Sequence, residues 1–218
     1  INQWLYTDRF STAKLTEPGL GTVTVEPGSK VRVTKVDDGK HWLELDKGKI
    51  QATILSPPKL FFVETRSATA VDMGCAYSLE VDEKGTGVLH VTAGWVELQR
   101  EGRAVRVPRG TKCVIRAGVG PGTPIDDSAS DFIIAAVERF DTGAATKSDP
   151  IADVLYSAKE EDAITLWHVL RLVPESRRAE VIDKLAAFVP LPAEVTRESV
   201  ASLDDAAMEK WWDKVRYR

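Results

Sequence analysis

Leu89-His90-Val91-Thr92-Ala93-Gly94-Trp95-Val96-Glu97-Leu98 alternates apolar and polar residues, bends at a glycine, then alternates again. Alternation with period two marks a strand that buries one face and wets the other. Glycine permits the bend because it has no Cβ to clash at positive φ. The phrase recurs through the first half of the chain. Val23 and Val25 precede Gly28, with Val31 and Val33 after it; Leu43 and Leu45 precede Gly48, with Ile50, Ala52 and Ile54 after it. Phe61 and Val63 lead to Arg66, then Ala68 and Ala70; Val71 leads to Gly74, then Tyr77 and Leu79; Val105 and Val107 lead to Gly110, then Cys113 and Ile115. Most bends lie 16 to 20 residues apart, with Arg66 and Gly74 closer. The pattern predicts an all-β, two-sheet β-roll or solenoid-like coil, with a Greek-key sandwich as the alternative. Asp37-Asp38-Gly39, Asp82-Glu83-Lys84-Gly85 and Arg100-Glu101-Gly102 are hairpin signals that make some neighbouring strands antiparallel.

After residue 125 the apolar spacing turns helical. Asp126, Asp127 or Ser128 can cap a helix carrying Phe132, Ile133, Ala136, Val137 and Phe140. Gly143 to Ser148 reads as a linker, and Asp149-Pro150 as a cap followed by proline at the first helical position. Ile151, Val154 and Leu155 then share a face. Helices follow over Glu161 to Leu172, with Ile164, Trp167, His168 and Leu172 grouped, and over Glu175 to Val189, with Ala179, Ile182, Leu185, Ala186 and Val189 on one side. Further pieces begin at Thr196 and Ser202, the last ending with Met208, Trp211, Trp212 and Val215. The organisation expected is a β-rich domain over 1–125, a helix and linker over 126–148, and a small all-α C-terminal domain over 149–218, HEAT-like or a bundle.

The 218 residues are 43% hydrophobic and 28% charged with a formal net charge of −4, so a substantial core is affordable. Residues 145–218 hold 11 basic and 14 acidic side chains, leaving 18 and 19 for the rest. Neither part carries the positive excess typical of nucleic-acid binding, and none is expected. No apolar run reaches the ~18 residues of a membrane span. A chain that opens at Ile1 rather than methionine leads to the expectation of an upstream anchor or signal.

The residues that carry chemistry are scattered. His41, His90 and His168 lie far apart, and no CxxC pair, nucleophile elbow or phosphate loop is present, so no catalytic residue, cofactor or metal is assigned. Cys75 and Cys113 both take the parity of the apolar residues around them and point into the core, where they either form a disulfide or simply pack. Trp42 and Trp95 take the opposite parity, which would leave them exposed. Trp211 and Trp212 are adjacent on one helix and cannot share one buried face. These four tryptophans are the candidate partner-binding residues, with packing of the helical part on the β part as the alternative. Trp42 and Trp95 could also form a stacking platform for a glycan.

Phe62 to Arg116 resembles FecR-like domains. The resemblance rests on Thr65-Arg66-Ser67-Ala68-Thr69-Ala70, Val71-Asp72-Met73-Gly74, Val91-Thr92-Ala93-Gly94-Trp95-Val96-Glu97 and Val107-Pro108-Arg109-Gly110. It implies an extracytoplasmic, β-rich module, usually tethered to the bacterial inner membrane, that senses or regulates by protein–protein contact in the manner of an anti-sigma regulator. It brings no catalytic residues. The function expected is therefore a non-enzymatic, periplasmic, membrane-anchored sensory or interaction domain with a protein partner. A glycan- or cell-wall-binding module is the alternative.

Overall fold

The structure, a computed structural model, describes residues 1–143 and 148–217. Residues 144–147 of the linker expected over Gly143 to Ser148 thus lie outside the described residues. The chain divides into two compact units, Ile1–Pro124 and Ile125–Arg218.

The first unit is made of strands: β1 (Leu5–Tyr6), β2 (Ala13–Glu17), β3 (Gly21–Val25), β4 (Lys30–Asp37), β5 (Lys40–Ile54), β6 (Phe61–Glu64), β7 (Thr69–Asp72), β8 (Ala76–Val81), β9 (Gly87–Ala93), β10 (Trp95–Arg100), β11 (Arg103–Pro108), β12 (Thr111–Arg116) and β13 (Gly120–Pro121). The alternating valines, leucines and isoleucines of the repeated phrase are the buried positions, and they form one continuous core from Leu20 to Ile115.

The long strand β5 organises the pairing. Its first half runs antiparallel to β4 and parallel to β6, with Trp42 opposite both Lys35 and Phe62. Its second half runs antiparallel to β3 and to β8. The inward parity changes between these halves, from Leu43 and Leu45 to Ile50, Ala52 and Ile54, around Gly48 at φ 92°. The pairing order is β1-β4-β5-β6-β7-β10-β11 through one half and β2-β3-β5-β8-β9-β12-β13 through the other. Among the pairings described, only β5–β6 is parallel. This differs from a solenoid, whose coils stack in parallel. The reason lies in the tight links: Asp38-Gly39 and Glu101-Gly102 both have positive φ at two successive residues, the geometry of a two-residue antiparallel hairpin.

The junction in β5 is stitched by polar groups. The Ser29 hydroxyl donates to the Lys49 carbonyl at 3.1 Å and accepts from the Lys49 N–H at 2.8 Å. A Cβ at Gly48 would collide with Ser29 backbone and side chain, so only glycine fits.

The second unit opens with a two-residue strand, β14 (Ile125–Asp126), and continues as helices: α1 (Asp131–Thr142), α2 (Pro150–Ser157), a 3-10 turn (Glu160–Asp162), α3 (Ala163–Leu172), α4 (Glu175–Phe188), α5 (Arg197–Ala201) and α6 (Asp205–Val215). Asp149, Thr196 and Asp204 cap α2, α5 and α6 by accepting backbone N–H groups. The first helix starts later than expected, with Ser130 at its N-cap, and Phe132 projects to solvent at 78% exposure. On α4 the inward face is Val181, Ile182 and Leu185, whereas Ala179 is exposed. A small alanine gains little by burial, and the larger valine takes the inner position.

Candidate functional site

The strand edges meet a groove of about 550 Å3. Its floor is apolar, with Leu15 of β2, Leu20 just before β3, Val23 of β3, Val33 of β4, Leu43 of β5 and Phe61 of β6. Val36 and His41 pair across β4 and β5 and also line it; Val36 is 45% exposed. Two strand edges bound this groove. Among the described residues β2 has one strand neighbour, β3. On the far side of β4, β1 pairs only with Lys30 and Val31, and the Asn2 N–H donates to the Val33 carbonyl at 2.7 Å. The groove therefore combines open main-chain edges with apolar side chains left partly uncovered, a combination suited to receiving another chain. Of the candidate partner-binding residues read from the sequence, Trp42 also lines this groove. The remainder of the lining was missed because β2 was not recognised as a strand, and the Pro18-Gly19 turn before β3 was the available signal.

The tryptophans divide in two. Strand register sets Lys35, Trp42, Phe62, Val71, Glu97 and Arg106 in one cross-strand row on the face opposite the core. Trp95 has the parity of Glu97, so Trp42 and Trp95 share this face, and both are half-buried. Trp42 stacks on Phe62 with centroids 4.9 Å apart and planes at 8°. From the β4 side the Lys35 ammonium sits 4.8 Å from the Trp42 centroid. Phe62 thus meets the Trp42 ring from one neighbouring strand and Lys35 from the other. The Arg106 guanidinium lies 5.7 Å from the Trp95 ring.

Trp211 and Trp212 correct the expectation that one of them would be exposed: both are buried in the helical unit. The Trp211 indole N–H donates to the Val189 carbonyl at 3.0 Å, and Trp212 packs 4.6 Å from Trp167, with His168 beside both. Adjacent side chains on one helix are 100° apart, and both are covered where a helix packs on two sides. They are core residues and offer no surface to a partner.

The cysteines are not joined by a disulfide. Register explains why. Cys113 lies opposite Leu89, which lies opposite Leu79, four residues along β8 from Cys75. Two strand spacings across and four residues along separate the Cα atoms by roughly 16 Å, far beyond the ~7 Å limit for a bridge. The Cys113 thiol instead approaches the Gly122 carbonyl at 3.3 Å. The Cys75 thiol donates to Asp72 Oδ2 at 2.6 Å, while Asp72 Oδ1 accepts from the Gly74 N–H at 2.7 Å. Burial pushes the Asp72 carboxyl up and outweighs these hydrogen bonds; burial and the Asp72 charge push the Cys75 thiol up as well. A thiol so placed is a poor nucleophile.

The stretches that carry the sequence resemblance are turn devices. The Thr65 hydroxyl donates to the Ala68 carbonyl at 2.8 Å, and Arg66 reaches the Glu83 carbonyl at 2.8 Å and Asp46 at 2.6 Å. Asp46 also meets Lys30 at 3.0 Å; these two cations outweigh the opposing effect of burial and hold its carboxyl below the usual range. The Arg109 and Gly110 N–H groups donate to the Gly94 and Val91 carbonyls. Among the described residues no three histidine, cysteine or acidic side chains gather as a metal site, and no helix is long and apolar enough to cross a membrane.

Two crystal structures of a candidate anti-sigma factor from Parabacteroides distasonis ATCC 8503, at 1.65 and 2.50 Å resolution, are similar to the chain. Each is 15% identical with a TM-score of 0.48; the match covers 63% of this chain and 65% and 64% of theirs, under two thirds of their length. No family model and no curated protein matches the chain.

Proposed function

We infer that the chain is a non-enzymatic regulatory module of the FecR-like type, extracytoplasmic and anchored through an upstream segment, that transmits a signal by binding another protein in an anti-sigma pathway. The observation that carries this reading is the groove between β2 and β4. Leu15 and Val33 are half-buried and Val36 is exposed beside strand edges with few main-chain partners. An extended segment entering there would pair its main chain with an edge and insert alternate side chains among these residues. The residues that match FecR-like domains support the scaffold, since Thr65, Arg66, Asp72 and Gly94 fix the turns that close the β unit.

The test is genetic. Val36→Asp in the chromosomal gene places a charge in the groove at an already exposed position. The expected result is a shift in transcription of the same gene set that responds to deletion of the gene. A deletion that leaves the transcript profile unchanged overturns the regulatory reading. A fusion to a phosphatase that folds only in an oxidising compartment tests the location: activity is expected, and its absence contradicts an extracytoplasmic site.

A further inference from the structure

The chain is acidic overall, yet one segment reverses sign. From Glu97 to Arg116, six cations (Arg100, Arg103, Arg106, Arg109, Lys112 and Arg116) stand against two carboxylates, Glu97 and Glu101. The segment runs from Glu97 within β10 through β11 to Arg116, the last residue of β12. Lys112 and Arg116 thus lie on β12, and β11, which carries Arg103 and Arg106, ends the pairing order of its half of the unit. Among the described residues β11 has one strand neighbour, β10, with Arg103 opposite Arg100 and Arg106 opposite Glu97. A surface depression of about 440 Å3 lies at this end, lined by Thr69, Gln99, Arg100, Glu101, Arg103 and Ala104. Glu101 is paired to Arg100 at 3.3 Å, so Arg103 is the lining cation left for a partner's carboxylate.

The spacing of the arginines is informative. They recur every third residue, while a strand repeats every second. Arg103 therefore shares the parity of the buried Val105 and Val107, Arg106 projects from the opposite face, and Arg109 lies just past the strand end, exposed. The cations flank the edge from both faces instead of lying on one plane. A flat anionic membrane would meet only part of them, whereas an extended chain along the edge passes all three. We propose that β11 is a second docking edge, taking an extended acidic segment of a partner protein that adds a strand to β10–β11 and sets its carboxylates against Arg103, Arg106 and Arg109. Charge complementarity selects the acidic sequence, and main-chain pairing selects an extended peptide over other polyanions. This edge is built from strands other than those of the β2–β4 groove, so its failure would leave the groove reading standing.

The test uses the whole chain and a fluorescein-labelled ten-residue peptide of alternating glutamate and valine, read by anisotropy. Saturable binding is expected, weakened about tenfold or more by Arg103→Glu with Arg109→Glu and weakened by added salt. Arg106→Gln, a milder change, is expected to weaken it less, and a circular-dichroism melt shows whether each variant folds. The same peptide N-methylated at alternate residues cannot form the ladder and should not bind. Equal binding of the methylated peptide would reduce the site to general attraction for anions and overturn the proposal. So would arginine-dependent binding of vesicles of phosphatidylglycerol and phosphatidylcholine at equal strength, or no peptide binding up to millimolar concentration.

Discussion

The Cys75 thiol donates to the Asp72 carboxylate across 2.6 Å, in a turn where both side chains are buried. The neighbouring Tyr77 hydroxyl is also buried, with no hydrogen-bond partner among the described residues. A carboxylate enclosed in this way prefers to hold its proton, and the Asp72 carboxyl lies above its ordinary 3.8 because burial outweighs the hydrogen bonds from Cys75 and Gly74.

The sign of the pH dependence follows. A group whose folded pKa is raised contributes stability that is complete below the unfolded pKa and is lost as pH rises through the folded value. Asp72 therefore costs stability between mildly acid and neutral pH. Asp72→Asn keeps an acceptor for the Gly74 N–H and offers an N–H towards Cys75 Sγ. Its melting temperature should fall less than that of the unaltered chain between about pH 4 and pH 7. Parallel curves for the two proteins would show that Asp72 is not protonated more readily when folded.

Gly48 and Gly94 each sit at positive φ with backbone close by: Ser29 at the first, and the Gly74 carbonyl with Cys75 at the second. Gly48→Ala or Gly94→Ala should cost about 2–4 kcal/mol, through backbone strain together with overlap. Gly39→Ala provides a control, since nothing lies within 4 Å of its added Cβ and only the φ penalty of about 1 kcal/mol applies. Urea midpoints would check the order, and equal losses at Gly48 and Gly39 would refute the packing at the β5 junction.

Trp211 fills the helical core and satisfies the Val189 carbonyl. Trp211→Phe should lose about 1–3 kcal/mol by leaving that carbonyl unpartnered, and Trp211→Ala about 3–5 kcal/mol. Trp42→Ala, on a half-buried outer face, should lose about 1 kcal/mol. Thermal melts followed by helical ellipticity for Trp211 and by sheet signal for Trp42 separate the two. A mild Trp211→Ala would contradict its place in the core.

The thiols give a simple chemical check. Alkylation under denaturing, non-reducing conditions should label both Cys75 and Cys113, with no loss of two mass units in the unlabelled protein. A mass two units lower would contradict the strand register that keeps them apart.

Much of the β unit was legible because burial and alternation coincide. Val23, Val25, Leu43, Leu45, Leu89, Val91, Val105 and Val107 are all buried where period two places them. Glycine bends were legible for the same local reason: Gly28, Gly48, Gly74, Gly94 and Gly110 all have positive φ. What sequence could not supply was which strands meet. The partners of β5 lie on both sides of a parity change at Gly48, and its parallel pair with β6 depends on the crossing of residues 55–60. The pairing of Trp42 with Phe62 is a consequence of that crossing. Trp211 and Trp212 misled because adjacency on a helix forbids one shared face but not burial on two. Of the groove only Trp42 was singled out from the sequence, because Leu15 and Val36 come from separate strands with ordinary composition.

The most direct test of a recognition role is a photo-crosslinking amino acid at Val36, with Leu55, 83% exposed outside the groove lining, as the control. Irradiation of cells making each form should yield one discrete protein adduct at position 36 that Leu15→Asp abolishes, and none at 55. Equal labelling at both positions, or no adduct at 36 in protein that is folded and correctly located, would contradict a groove that binds a protein partner.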